Sequence, residues 1–416
     1  MLSAATIDSG ATAWVLVSTA LVAFMTPGLA FFYGGMVRSK NVLGMLMQNI
    51  FAMGLISVLW AAIGFSLAFG GDGAYFGNFD FLFLKDLGTI AELPGYTGDF
   101  GLVVPIMVFF AFQMMFAVIT PALITGATAD RLKFSAYAVL IGVWGVVVYP
   151  TVAHWVFSPN GWLFKRGALD FAGGAVIHVN AGVAALAVIL VLGNRKGWPR
   201  EAMPPHNLPF TVLGTGILWF GWFGFNAGSA LGANGLAAQA LVNTHLAAAA
   251  AMCGWLVVEK LRAGHAPTLG AASGAVAGLV AITPCAGFVG GFAPVIIGLI
   301  AGVVCYLALS LKTKFGFDDS LDVIAVHLVG GILGAVLLGF FADTKVNALG
   351  FDGIFFGGGA DLLIDQLVAL GATIAFSFIV TWIIAKAIDA TIGLRVSSED
   401  ELVGLDQSQH AESAYQ

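Results

Sequence analysis

The chain has 416 residues, of which 59% are hydrophobic and only 10% charged, with a formal net charge of −6 and a mean hydropathy of +0.94. Soluble domains carry about 25% charged residues, so a water-soluble globular fold is excluded, and the absence of a basic cluster argues against a nucleic-acid partner. Apolar runs of about 20 residues match a ~30 Å hydrocarbon core. They are too long and too uniform for the alternating ~10-residue strands of a membrane barrel.

Taken in order, the apolar runs predict eleven membrane-spanning helices in an all-α polytopic protein. The first five are 11–33, 41–69, 101–127, 134–152 and 172–193. The first has no Lys or Arg before it and no cleavage pattern, so it is expected to stay in place rather than act as a signal peptide. The next five are 208–228, 235–259, 267–284, 288–311 and 320–342, and the eleventh is 360–389. Loop charge tests this register. Taking the loop with Arg38 and Lys40 and every second loop after it, one side collects 13 of the 17 Lys and Arg, among them Arg131, Arg195, Lys260, Lys312 and Arg395. The other side holds only Lys85, Lys165, Arg166 and Lys345. The positive-inside rule makes the rich side cytoplasmic, which puts the N-terminus outside and the C-terminus inside a cell membrane.

Five helices per half require the second half to enter from the opposite face, the architecture of an inverted repeat. The expected units are a first repeat over 1–199, a second over 200–342, a loop and eleventh helix over 343–391, and a cytoplasmic tail over 392–416. The tail, "GLRVSSEDELVGLDQSQHAESAY", is polar. Ser398 with Glu401 three residues on reads as the start of a short helix, and a disordered tail is the alternative.

Two stretches echo each other across the halves: "DFAGGAVIHVNAG" from Asp170 and "DSLDVIAVHLVGG" from Asp319, each with a histidine eight residues after an acid and glycines beyond it. At 1.5 Å per residue, His178 and His327 lie ~12 Å from opposite ends of their helices, so they can meet near the middle of a ~30 Å core. Ionisable groups in a membrane are costly and face a cavity or a partner. A pair of buried histidines that fixes helix packing is the plainer alternative. The acids are not on the histidine face, because eight residues is about 80° past two turns. Asp170 is expected to cap its helix, and Asp319 or Asp322 to cap the other. The 55 glycines imply closely packed helices. Cys253, Cys285 and Cys305 form no metal or disulfide pattern.

Several motifs in order, "PGLAFFYGGMVRSKNVL" (27–43), "DFAGGAVIHVNAG", "PHNLP" (205–209), "WFGFNAGSA" (222–230) and "DVIAVHLVGG" (322–331), resemble the ammonium transporter family, to which the Rhesus glycoproteins are related. The resemblance spans almost the whole chain. It implies a homotrimeric transporter, not an enzyme and without cofactor or metal, that passes ammonium, ammonia or methylammonium through a narrow apolar pore in each subunit and serves nitrogen uptake. The family's pore histidines match His178 and His327, and its paired phenylalanine gate matches Phe116 and Phe225. Its outer recruitment site matches Phe116, Ser229 and, where well-known bacterial members have Trp, Phe157, with Trp155 or Trp162 as possible substitutes. The supporting acid matches Asp170, and pore-lining positions match Phe32, Trp222 and Val323. The family's tail couples subunits and receives a PII-type signalling protein at the cytoplasmic face. Rival readings are a bis-histidine haem protein, an ammonium sensor, and a water or gas channel of the same fold.

Overall fold

The computed structural model describes residues 6–415. The first five residues of the expected N-terminal repeat and Gln416 of the tail lie outside them. Among the described residues the chain is helical, and the only strand-like pairing is an isolated bridge between Leu132 and Arg395.

Among the described residues, ten helices are long and apolar enough to span a membrane. They include α1 (Ser9–Met36), α2 (Ser39–Phe69) and α3 (Ile106–Thr128). The fourth predicted run continues past its expected end as α4 (Phe134–Val147), α5 (Tyr149–Phe157) and α6 (Trp162–Arg166). Pro150 sits in the first turn of α5, where its missing N–H is tolerated while the helix before it is interrupted. Next come α7 (Gly174–Leu192), α8 (Leu208–Gly228) and α9 (Gly235–Ala263). The predicted 267–284 run forms α10 (Thr268–Ile282), whose 15 residues are fewer than the ten long spans have. Its "TPCAG" continuation ends the regular helix at Ile282. α11 (Ala293–Phe315), α12 (Ile324–Phe341) and α13 (Asp361–Thr391) complete the set.

Local chemistry sets several of these ends. Asp8, Asn207 and Asn234 each accept a backbone N–H at the start of α1, α8 and α9, satisfying donors that a helix leaves free. α1 packs along α8, and α9 along α10 and α11.

The arginine-rich loops converge on one end of the bundle. Arg195 pairs with Asp318 at 2.8 Å and with Asp130 at 3.4 Å, and Arg38 joins Asp130 at 3.0 Å. Arg131 is fully buried and donates to carbonyls of Ala127, Ala129, Gly193 and Asp318. These groups come from four loops that the charge count placed on one side. The tail docks at this same end as α14 (Ser398–Val403) and α15 (Leu405–His410). Its cap is Ser397, bonded to the Asp400 N–H, one residue earlier than the expected Ser398. Glu401, read as a capping partner, instead takes Arg395 at 2.6 Å and the Lys196 N–H at 2.7 Å. Asp406 accepts from Gly44 N, and Tyr415 meets His206 at 2.8 Å. The tail is therefore folded onto the chain's own loops.

Candidate functional site

Both histidine helices open with a carboxylate and a widened π-turn. Asp170 takes four backbone N–H groups: Gly173 and Gly174 on one oxygen (2.8 and 2.6 Å), Ala175 and Val176 on the other (2.8 and 3.2 Å). Burial holds its carboxyl above the ordinary range, against the pull of those bonds. Asp319 takes Val323 N and Ile324 N at 3.1 and 2.7 Å. Of the two acids expected to cap α12, Asp319 does so, while Asp322 pairs with Lys312 at 2.6 Å. Burial, with Asp322 beside it, pushes the Asp319 carboxyl up to about 7. The π-turns then run Gly174–Val179 and Ile324–Leu328 and carry the two histidines. Such turns widen a helix locally and recur at functional sites.

The structure brings the two imidazoles into contact. Their Nδ1 atoms are 3.2 Å apart, and the rings lie 5.3 Å apart at 22°. Small residues permit this approach. A Cβ on Gly182, four residues after His178, would lie 2.6 Å from the Leu328 nitrogen. One on Gly331, four residues after His327, would lie 3.2 Å from His178 Cβ. Each histidine helix thus leaves room for its counterpart's turn, which gives the glycines beyond each histidine a steric reason.

The imidazoles face a chamber of about 10 Å³, lined by Met25, Leu29, Phe32, Ile119, Trp222 and Phe225 among others. That volume is on the scale of a single small molecule. Trp222 stacks on His178 at 5.4 Å and 18°. Its indole N–H is held by Thr283 Oγ1 at 2.9 Å, a positioning contact that no sequence motif announced. Val323 does not reach the chamber. It sits one turn before His327, against Gly126 and beside Tyr33.

Phe116 and Phe225 pack ring on ring at 4.5 Å and 50°. Phe225 borders the chamber and Phe116 borders an open vestibule of about 830 Å³, so the pair stands between them. Phe157, Ser229 and Asp170 line the same vestibule. Ser229 donates its hydroxyl proton to Phe225 O at 2.8 Å, which leaves its oxygen lone pairs as acceptors. Trp155 and Trp162 do not complete an aromatic cage there. They pack on each other at 5.8 Å, and Trp155 donates to Tyr75 O. Gln113, three residues before Phe116, is a vestibule residue that the motif reading passed over. Its Oε1 is shut from solvent without a partner.

Among the described residues there is no cluster of three or more His, Cys, Asp or Glu side chains able to hold a metal. A ferric porphyrin between the histidines is incompatible with the contact itself, since axial ligation needs both imidazoles separated by the iron.

A polytopic helical bundle with a wide vestibule, an aromatic constriction and a small apolar chamber has the form of a membrane transport protein for a very small solute. The chain belongs to the ammonium transporter family: the model of the Ammonium Transporter Family matches residues 13–415. An ammonium transporter of Mycobacterium tuberculosis (strain ATCC 25618 / H37Rv) is 51% identical over 431 aligned residues, covering 98% of this chain and 90% of that one. Ammonium transporter Amt1 of Archaeoglobus fulgidus is 46% identical, covering 98% and 100%. Among solved structures, Candida albicans Mep2 superposes with a TM-score of 0.89 at 36% identity, covering 99% of this chain and 91% of that one. A structure described as a sensor Amt protein superposes with a TM-score of 0.86 at 29% identity, covering 97% and 98%. The protein is thus a multi-pass membrane transporter, not an enzyme.

Proposed function

We propose that each subunit recruits ammonium in the vestibule, where its proton is released to solvent, and passes ammonia through the phenylalanine pair and along the twin imidazoles. The observation that carries this reading is the Nδ1-to-Nδ1 contact of His178 and His327 inside an apolar chamber behind Phe116 and Phe225. Phe116 and Phe157 offer ring faces to a cation. Ser229 Oγ accepts one of its N–H bonds, a contact that potassium has no hydrogen to make. Asp170 adds negative potential from the vestibule wall.

Beyond the phenylalanines an intact cation faces a desolvation penalty of order 20 kcal/mol before relaxation. Neutralising an amine of pKa ~9–10 at pH 7 costs only about 3–4 kcal/mol. Ammonia is therefore the species that crosses. The shared Nδ1 proton makes the imidazole pair complementary: the donor ring keeps a bare Nε2 acceptor and the acceptor ring keeps an Nε2–H donor. Ammonia can accept from one and donate to the other, which replaces part of its lost hydration. Phe32 and Trp222 supply apolar wall.

The same reading places eleven spans in the cell membrane, α10 included, as an inverted five-plus-five repeat over 1–199 and 200–342, then 343–391 and the tail 392–416. The arginine-rich end is cytoplasmic, the N-terminus is outside, and the chain works as a homotrimer whose docked tail offers a PII-type protein its contact. The convergence of Arg38, Arg131 and Arg195 at the tail supports this sidedness.

Uptake of methylammonium by cells lacking their own transporters tests the function, and currents from proteoliposomes on a solid-supported membrane after ammonium pulses show whether the proton follows. No uptake and no current would refute transport and favour a sensor. Native mass spectrometry tests the trimer, and a pull-down with and without residues 392–416 tests the PII contact.

A further inference from the structure

The segment after α2 folds back along the helix it has just left. Gly77 N donates to Leu67 O at 2.9 Å, Ser66 Oγ donates to Asn78 O at 2.8 Å, and Phe81 N donates to Ser66 Oγ at 3.0 Å. The Phe81 ring packs on Phe65 at 6.1 Å, and the Leu82–Leu84 turn packs beside the Trp60–Gly64 turn of α2. About 20 residues cross a ~30 Å hydrocarbon core. Counted from Val42, next to the arginine-rich end, such a span closes near residue 61. The returning segment therefore runs from the edge of the hydrocarbon, where the Leu82–Leu84 turn lies, into the headgroup region about 9 Å beyond it, where Gly77 meets Leu67.

Its large apolar side chains point outward at that level. Tyr75, Phe76, Phe79 and Phe83 are 58%, 59%, 61% and 79% exposed. Phe83 and Leu84 hold φ of +53° and +63°, a region that bulky residues avoid. On α2, Met47 and Val58, eleven residues or about three turns apart on one face, are 42% and 67% exposed. Asp80, Lys85 and Asp86 are exposed between and beyond the aromatics. Aromatics bordered by charge are the pattern of a headgroup boundary.

We infer that residues 75–83 form an aromatic anchor in the outer-leaflet interface, occupied by lipid at the junction of acyl chains and headgroups. It is continuous with the lipid-facing strip of α2 and fixes the depth of that helix's outer end.

The test uses the full chain with Cys253→Ser, because Cys253 is the exposed cysteine, reconstituted in phosphatidylethanolamine–phosphatidylglycerol (3:1) vesicles. Nitroxide labels go on Phe79→Cys and Phe83→Cys, with exposed Thr89→Cys as the aqueous reference and Phe76→Cys as a second reporter should either label disturb the loop. Power saturation compares collision with oxygen, which concentrates in lipid, against a water-soluble nickel chelate. The expected oxygen-to-nickel ratio at 79 and 83 exceeds that at 89 by about threefold or more. Equal ratios would overturn the anchor in favour of a water-exposed loop. Protection from both reagents with dipolar broadening would overturn it in favour of a second copy covering the patch. Retained methylammonium uptake by the vesicles and an unchanged melting temperature certify that the labelled chain is folded.

Discussion

Replacing Asp170 separates two duties of one carboxylate. It accepts four backbone N–H groups at the start of the His178 helix and contributes charge to the vestibule wall. Asp170→Ala leaves four donors without their acceptor. Each unpaired buried N–H costs about 1–3 kcal/mol. Because Asp170 is only partly buried, water reaches some of them, and a loss of roughly 2–4 kcal/mol follows from the low end of that range. Asp170→Asn keeps one oxygen for Gly173 and Gly174 and turns an amide N–H₂ toward Ala175 and Val176. That is a loss of about 1–2 kcal/mol by the same scale. Both variants lose the charge. A unit charge at roughly 10 Å in an effective dielectric of ~20 is worth about 1.7 kcal/mol, or roughly a 10- to 20-fold rise in the ammonium KM. Melting followed by intrinsic tryptophan fluorescence should rank wild type above Asn above Ala. Methylammonium uptake titrations should show a similar KM increase in both variants. A stable Asn variant with wild-type KM would refute the electrostatic role, and an Ala variant melting with wild type would refute the capping role.

Three further outcomes are expected. His178→Ala should fold yet lose more than about tenfold of its methylammonium uptake rate, a barrier of at least ~1.4 kcal/mol; uptake within twofold of wild type would count against the imidazole pair. Phe157→Trp should lower the methylammonium KM by about two- to fivefold, since indole binds cations better than phenyl by about 0.5–1 kcal/mol, while Ser229→Ala should raise it about fivefold through one lost hydrogen bond; uptake titrations decide both. For Asp319, the folded carboxyl sits at about 7, above the ~3.9 of an unfolded chain. Between pH 4 and 7 the unfolded chain has released this proton and the folded one still holds it, so stability falls as pH rises through that window and levels off above it. Asp319→Asn should flatten the fall, as read by melting temperature against pH; an unchanged profile would refute the assignment.

Composition and run length were enough to establish a helical membrane protein, because a hydrocarbon core imposes both length and apolarity on whatever crosses it. Loop charge likewise grouped Arg38, Arg131 and Arg195, which the structure then joins through Asp130 and Asp318. The matched eight-residue offsets pointed to His178 and His327, and helix-end chemistry identified Asp170 as a cap. Other features depended on packing between segments far apart in the chain. Apolar periodicity could not show that α10 is short, that Val323 lies outside the chamber, or that Trp155 and Trp162 turn toward each other. A uniformly apolar sequence carries no face preference from which such orientations follow. The imidazole contact itself rests on Gly182 and Gly331, whose missing side chains matter only once the other helix is beside them. The return of residues 75–83 along α2 likewise depends on Ser66 bonding across a loop, a tertiary choice that spacing and composition do not encode.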